Sequence, residues 1–447
     1  MRLLIRGGGA ATLAAFVALA LTQATLGSPL FFALTVVPGV VYALLLRALL
    51  AGPASAAPPE AGPDPNRRLL ILALVLAALF RLPLAVGPVG YDSDIVRYIY
   101  DGRLQRLGFN PFTVVPSDPA VAATHTDLTR QMPSRNAQTP YPAAAQLFFR
   151  LVVTISESAL AMKLAMVACD LLTVAVLIAW LRSTERSPWL ALVYAWNPLV
   201  ILEAAHSGHM DALGVLWITV AAWMLSTGRG MRATIAFVLA VASKLLPIVL
   251  LPLFWKRIKP RDAAVGILVL AALYFPFRSA GTLPLGAVPN VIAAIRFNGP
   301  LFMAVRLMLT PQAAAVIAVL AGLGTAAWMR ARRPADDPAA WAWPMAVSLA
   351  AAPVIYPWYL LYFTPFLFSR ATLPLVVWTY SVLPVYLVWQ LAREGHRWRV
   401  PGWTMVLEYG AVGIVLIVLM VHQVLRGAGA SGATGADGAE SAHPPHQ

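Results

Sequence analysis

YDSDIVRYIYDGRLQRLGFNP, residues 91–111, sets a charged, aromatic segment directly behind a hydrophobic span in a chain that otherwise avoids charge. Asp94, Tyr98, Asp101 and Gln105 recur at helical spacing, whereas Ile95, Ile99, Leu104 and Leu107 fall largely on other faces. This pattern predicts a short amphipathic helix lying along a membrane surface. Asp92 or Ser93 can cap its first amides, Gly108 suits a left-handed residue after its last turn, and Pro111 forbids continuation. Three carboxylates, Asp92, Asp94 and Asp101, are thereby expected at the mouth of whatever the membrane helices enclose.

Working outward, the surrounding chain supplies the membrane. Of its 447 residues 60% are hydrophobic and only 12% are charged, which excludes an ordinary soluble globule. The apolar stretches are continuous rather than alternating, so the fold class is an all-α polytopic membrane protein and not a β-barrel. A formal net charge of +14 raises the question of nucleic acid. The Arg and Lys residues, however, lie in short clusters between apolar segments, as the positive-inside rule requires, and no nucleic-acid partner is expected. Cys169 is the sole cysteine, which rules out an intrachain disulfide.

We count about 12–14 membrane helices or half-helices in an integral membrane domain over residues 1–426, followed by a disordered Gly/Ala/Ser/Pro tail at 427–447. Arg2 and Arg6 precede a retained helical hairpin, and Arg47 keeps the next linker inside. The third span, about residues 68 to 86, then carries the chain out. Residues 89–158 therefore form a first large extracytoplasmic loop with interfacial helices, too long to be a mere connector. The stretch from Ala233 to Trp255 has Arg232 before it and Lys256, Arg257, Lys259 and Arg261 after it. One crossing would leave a basic cluster outside, so two half-helices are expected to enter and return, broken near Ser243-Lys244 and Pro247 with Lys244 at the buried tip. Near the C-terminus, Arg393, Arg397 and Arg399 fall on the outer face by parity, against the basic trend.

Four constellations could carry chemistry. Asp94 stands among Arg97, Tyr98 and Tyr100, where a carboxylate can accept a proton from a sugar hydroxyl; the plainer alternative is a helix cap with solvated charges. Gly208-His209-Met210-Asp211-Ala212 opens a span, and a helix N-terminus suits phosphate, with His209 as its ligand; alternatively Asp211 only caps the helix. Lys244, an ionisable residue inside an apolar segment, can neutralise a phosphodiester leaving group or form a structural ion pair. Tyr356 to Tyr359, with Trp358, reads either as sugar-stacking or as an interfacial aromatic belt, and Arg296, Asn298 and Arg306 form a further outer cluster. No P-loop, Gly-rich nucleotide loop or zinc-ligand spacing occurs, although Asp92 and Asp94 leave room for a divalent ion. An enzyme without a nucleotide-binding domain, working on the outer face, needs a substrate already activated in the membrane, and a polyprenyl-phosphate sugar meets that need.

These pieces together resemble a known family. Ser93-Asp94-Ile95-Val96-Arg97-Tyr98 with Asp101-Gly102-Arg103, Gly108-Phe109-Asn110-Pro111-Phe112, Pro140-Tyr141-Pro142, Gly208-His209-Met210-Asp211-Ala212, Lys244-Leu245-Leu246-Pro247, Phe297-Asn298 and Pro357-Trp358-Tyr359-Leu360 occur in the order seen in bacterial mannosyltransferase-like members of the type C (GT-C) glycosyltransferases. The resemblance implies an inverting, multi-pass cell-membrane enzyme of cell-envelope glycan biosynthesis. It would move mannose or another hexose or pentose from a polyprenyl-phosphate donor to a glycan, lipid or protein acceptor. It also implies Asp94, or Asp92, as general base, with Lys244, His209 and Arg103 at the donor phosphate. Arg97, Tyr98, Asp101, Asp211, Asn298, Trp358 and Tyr359 would contact substrate. Tyr100 and Met210 depart from the family pattern, where Trp and Asn are expected. A secondary transporter or lipid-linked sugar flippase is the competing reading, because a broken helix with a buried Lys also suits a substrate pathway. A non-catalytic scaffold would leave both outer carboxylates and Lys244 dispensable.

Overall fold

The structure is a computed structural model that describes residues 1–50, 66–89, 93–279 and 284–436. Among them the regular secondary structure is helical, with an isolated bridge of extended chain between Phe297 and Val354. Eight helices among the described residues are long and apolar enough to cross a membrane: α1 (Leu4–Thr22), α2 (Pro29–Leu50), α3 (Arg67–Ala85), α6 (Ala159–Ser183), α11 (Pro260–Phe277), α12 (Pro311–Arg332), α14 (Arg370–Arg393) and the Gly402–His422 part of α15. Between α3 and α6 run α4 (Asp94–Arg106) and α5 (Ala143–Ile155). A pair bent by 60°, α7 (Pro188–Ala195) and α8 (Pro198–His206), precedes the shorter apolar helices α9 (Asp211–Ser226) and α10 (Gly230–Ser243), and α13 spans Pro338–Ala350. Large apolar side chains stand open on the outer helices, Val406 at 74% and Ile414 at 64%, an exposure that only lipid satisfies.

Contacts at the helix ends give the bundle two distinct ends. At one, Trp223 Nε1 donates to Ser183 Oγ, Arg186 pairs with Asp336 at 3.1 Å, Arg370 reaches the Leu50 carbonyl, and Arg257 reaches the Arg333 carbonyl. At the other, Asn110 donates to the Phe277 carbonyl at 2.9 Å, Lys163 holds the Leu84 carbonyl at 2.7 Å, and Arg393 touches the Leu26 carbonyl. The long loop and the last inter-span loop therefore share this second end, as parity requires.

The stretch from residue 230 to 258 enters and returns, as expected. A Cβ on Gly230 would fall 2.7 Å from Asp262 Oδ2, so the start of α10 and the chain after the return lie side by side. Fourteen helical residues rise about 21 Å, short of a hydrocarbon core of about 30 Å. The helix stops at Ser243, Lys244 is extended, and a 3-10 segment at Leu246–Phe254, with Pro247 and Pro252, leads back. At the C-terminus, residues 427–436 continue α15, and 437–447 lie outside the described residues.

Candidate active site

α4 begins as its sequence dictates: Ser93 is extended, its hydroxyl accepts from the Ile95 amide at 3.3 Å, and Gly108 after the last turn has φ +86°. Protein covers the helix on both of its apolar faces, however. Ile95, Val96, Tyr98, Ile99, Tyr100, Asp101 and Leu104 are each no more than 1% exposed. Ile95, Tyr98 and Ile99 pack with Phe149 and Val153 of α5 and Met162 and Met166 of α6, while Val96, Tyr100 and Leu104 close on Met132 of the long loop. Two apolar faces, one for the bundle and one for the loop, make it a buried strut.

That burial reassigns several polar residues. Asp101 does not stand at a mouth: it is fully buried, accepting from Arg97 Nε at 2.8 Å, Thr139 Oγ1 at 2.6 Å and Gln146 Nε2 at 3.0 Å. Arg97 Nη1 reaches the Ser134 and Ala137 carbonyls, while its Nη2 is buried without a hydrogen-bond partner. Arg103 is directed to the Thr124 carbonyl and Glu157, both at 2.8 Å; nine residues along a helix from Asp94 place it about 13 Å away by axial rise. These three residues fasten α4 to the loop and to α5. Asn298, with φ +54°, donates to Glu408 of α15 at 2.9 Å and accepts from Tyr409, forming a separate junction. Asp92 lies outside the described residues.

The remaining candidates converge. Asp94, the first residue of α4, faces His209 with 3.8 Å between Oδ2 and Nε2, and Tyr141 lies near its carboxylate. His209 is brought there by a chain reversal: a π-helical turn over Leu202–His206 runs into Gly208 at φ +66°, where a Cβ would meet Ile95 Cδ1 at 2.6 Å. The ring of His209 stacks on Trp358, with centroids 4.0 Å apart, and Trp358 stacks in turn on Tyr356 at 4.5 Å. Lys244 pairs with Asp211, the first residue of α9, and its ammonium lies 3.8 Å from the centre of the Tyr359 ring. Asp211 makes no side-chain cap for α9; its partner is the lysine. Tyr98 accepts from the Met210 amide at 3.4 Å, so Met210 contributes backbone at the position where a polar side chain was expected.

The electrostatics follow from enclosure. Burial raises the Asp94 pKa above the ordinary aspartate value, opposed first by the charge of His209 and then by that of Lys244. Burial alone would lower the His209 pKa, but Glu203, Asp94 and Asp211 together raise it. One contributor escaped the sequence reading: Glu203 has one oxygen 2.5 Å from His209 Nδ1. Glu203 carried a usable signal, an acid in an apolar run six residues before a singled-out histidine. Among the described residues no group of three His, Cys, Asp or Glu side chains is arranged to hold a metal ion.

Compared with known families, residues 7–257 match the model of the alpha-(1->6)-mannopyranosyltransferase N-terminal domain. No curated protein matches significantly. The matched region contains the acidic and basic members of the cluster, Asp94, Glu203, His209, Asp211 and Lys244, whereas Trp358 and Tyr359 lie beyond it. The chain belongs to the alpha-(1->6)-mannopyranosyltransferase family and is a multi-pass membrane glycosyltransferase.

Proposed function

We propose that the protein transfers a mannosyl residue from a polyprenyl-phosphate carrier to a hydroxyl of a glycan, lipid or protein on the extracytoplasmic face, with inversion, as a type C glycosyltransferase. The observation that carries this reading is a carboxylate, Asp94, set beside the His209 ring and near the Lys244 ammonium at one end of a membrane bundle. Asp94 accepts the proton of the acceptor hydroxyl as its oxygen attacks the anomeric carbon. The bond from that carbon to the phosphate oxygen breaks, and its electron pair leaves with the polyprenyl phosphate. A single displacement of this kind inverts the anomeric centre. Lys244 gives one N–H to Asp211 and keeps others for the departing phosphate, beside the Nε2 of His209.

The opposite end of the bundle holds Arg186, Arg257, Arg330 and Arg333, and the positive-inside rule favours that end for the cytoplasm. The absence of a nucleotide-binding motif in the sequence favours a lipid-linked donor. The test is to incubate purified protein with a panel of polyprenyl-phosphate monosaccharides and candidate acceptors and to analyse products by mass spectrometry. Asp94→Asn should abolish transfer while the protein remains folded in the membrane. Retained turnover in that variant removes Asp94 from the mechanism, and lipid movement without a covalent product would point to a flippase.

A further inference from the structure

Glu203 takes no part in the chemistry just described, yet its side chain is fully buried beside it. Its Oε2 lies 2.5 Å from His209 Nδ1, its backbone carbonyl accepts from the His209 amide at 2.9 Å, and its Oε1 is buried without a partner. A buried carboxylate with a single side-chain partner is costly unless that partner carries the compensating proton. With Nδ1–H given to Glu203, the opposite ring nitrogen points toward Asp94. Their separation of 3.8 Å is too long for a direct hydrogen bond, so Nε2 is left able to donate to an anionic oxygen that approaches beside the carboxylate. The Trp358 face fixes the plane of the ring.

Other charged and titratable groups face His209 from each element around it. Asp94 comes from α4, Asp211 from the start of α9, Lys244 from the break after α10, and His206 with Lys163 lie behind the turn. Tyr141 and Tyr98 complete the enclosure from the long loop and α4. Three carboxylates thus oppose one ammonium within the immediate cluster. Glu203 is the only one of them in direct hydrogen bond with the ring.

We propose that Glu203 is a positioning residue for glycosyl transfer: it holds His209 as the doubly protonated imidazolium, with Nε2 turned toward the leaving phosphate, and thereby sets the alkaline limit of turnover. This rests on the donor-phosphate role given to His209 above. Glu203→Gln keeps a hydrogen-bond acceptor for Nδ1–H but removes the charge, whereas Glu203→Asp keeps the charge. A group that must stay protonated fails as pH rises through its pKa, so losing the carboxylate moves that failure to lower pH.

The measurement pairs transfer from polyprenyl-phosphate mannose across pH with NMR titration of 13C-labelled histidine in detergent or nanodiscs. Glu203→Gln should lower the His209 midpoint by about one to three units, as loss of an adjacent opposite charge does, and should move the alkaline limb of kcat down with it. Glu203→Asp should restore both. An unmoved limb and an unmoved titration in a folded Glu203→Gln protein would overturn the assignment, and so would a shifted titration with an unshifted limb. Should the wild-type protein turn over no polyprenyl-phosphate sugar, the functional reading falls by itself. The His209 titration then decides by itself whether Glu203 holds the imidazolium, an unmoved midpoint overturning it.

Discussion

At the residue scale, the structural role of Lys244 can be separated from its proposed part in transfer. It neutralises Asp211, which is 1% exposed, and it presents N–H groups beside His209 and Asp94. Lys244→Met should leave a buried unpaired carboxylate and cost about 3–5 kcal/mol of stability, read as a fall in thermal midpoint. Adding Asp211→Asn should recover most of that stability but none of the turnover, because the proposed phosphate contact stays absent. The pH profile makes a second prediction. Burial raises the Asp94 pKa and His209 opposes the rise, so the base is formed only above the ordinary aspartate range. His209→Gln removes the opposing charge, and the acidic limb of kcat/KM should then move to higher pH.

At the element scale, α4 was legible in its bounds and not in its surroundings. Ser93 as cap and Gly108 beyond the last turn are local backbone requirements, and both were readable. The two-sided burial was not, because Val96, Tyr100 and Leu104 are covered by a loop residue, Met132, far away in sequence. The same contacts turned Asp101 and Arg97 from substrate ligands into fasteners. The α4–α5 crossing depends on Gly102, where a Cβ would lie 2.7 Å from the Phe149 carbonyl oxygen. Gly102→Val should force the helices apart and cost at least about 1–3 kcal/mol, with turnover falling as Asp94 moves away from His209. A variant with an unchanged thermal midpoint would remove this close approach from the account.

At the scale of the whole molecule, the bundle is held by polar links inside its apolar core. Arg81 of α3 pairs with Asp170 of α6, both fully buried, and Arg81 also reaches the Ala195 carbonyl at the bend between α7 and α8. Arg81→Met alone should destabilise strongly, by about 3–5 kcal/mol, whereas Arg81→Met with Asp170→Leu should restore much of the loss; thermal unfolding in detergent distinguishes the two. The sequence by itself determined the membrane class, the two-ended topology and the returning half-helices with Lys244 at their tip, because hydropathy, basic clusters and proline act locally along the chain. It also singled out Asp94, His209, Asp211 and Lys244, since charge inside apolar sequence is conspicuous. Only the tertiary structure decided which charged residues share a site. Arg97, Asp101 and Arg103 are tied to partners tens of residues away, and Glu203 meets His209 only because the chain reverses at Gly208. Which partner satisfies a buried charge depends on distance in space, and spacing along the sequence does not encode that distance.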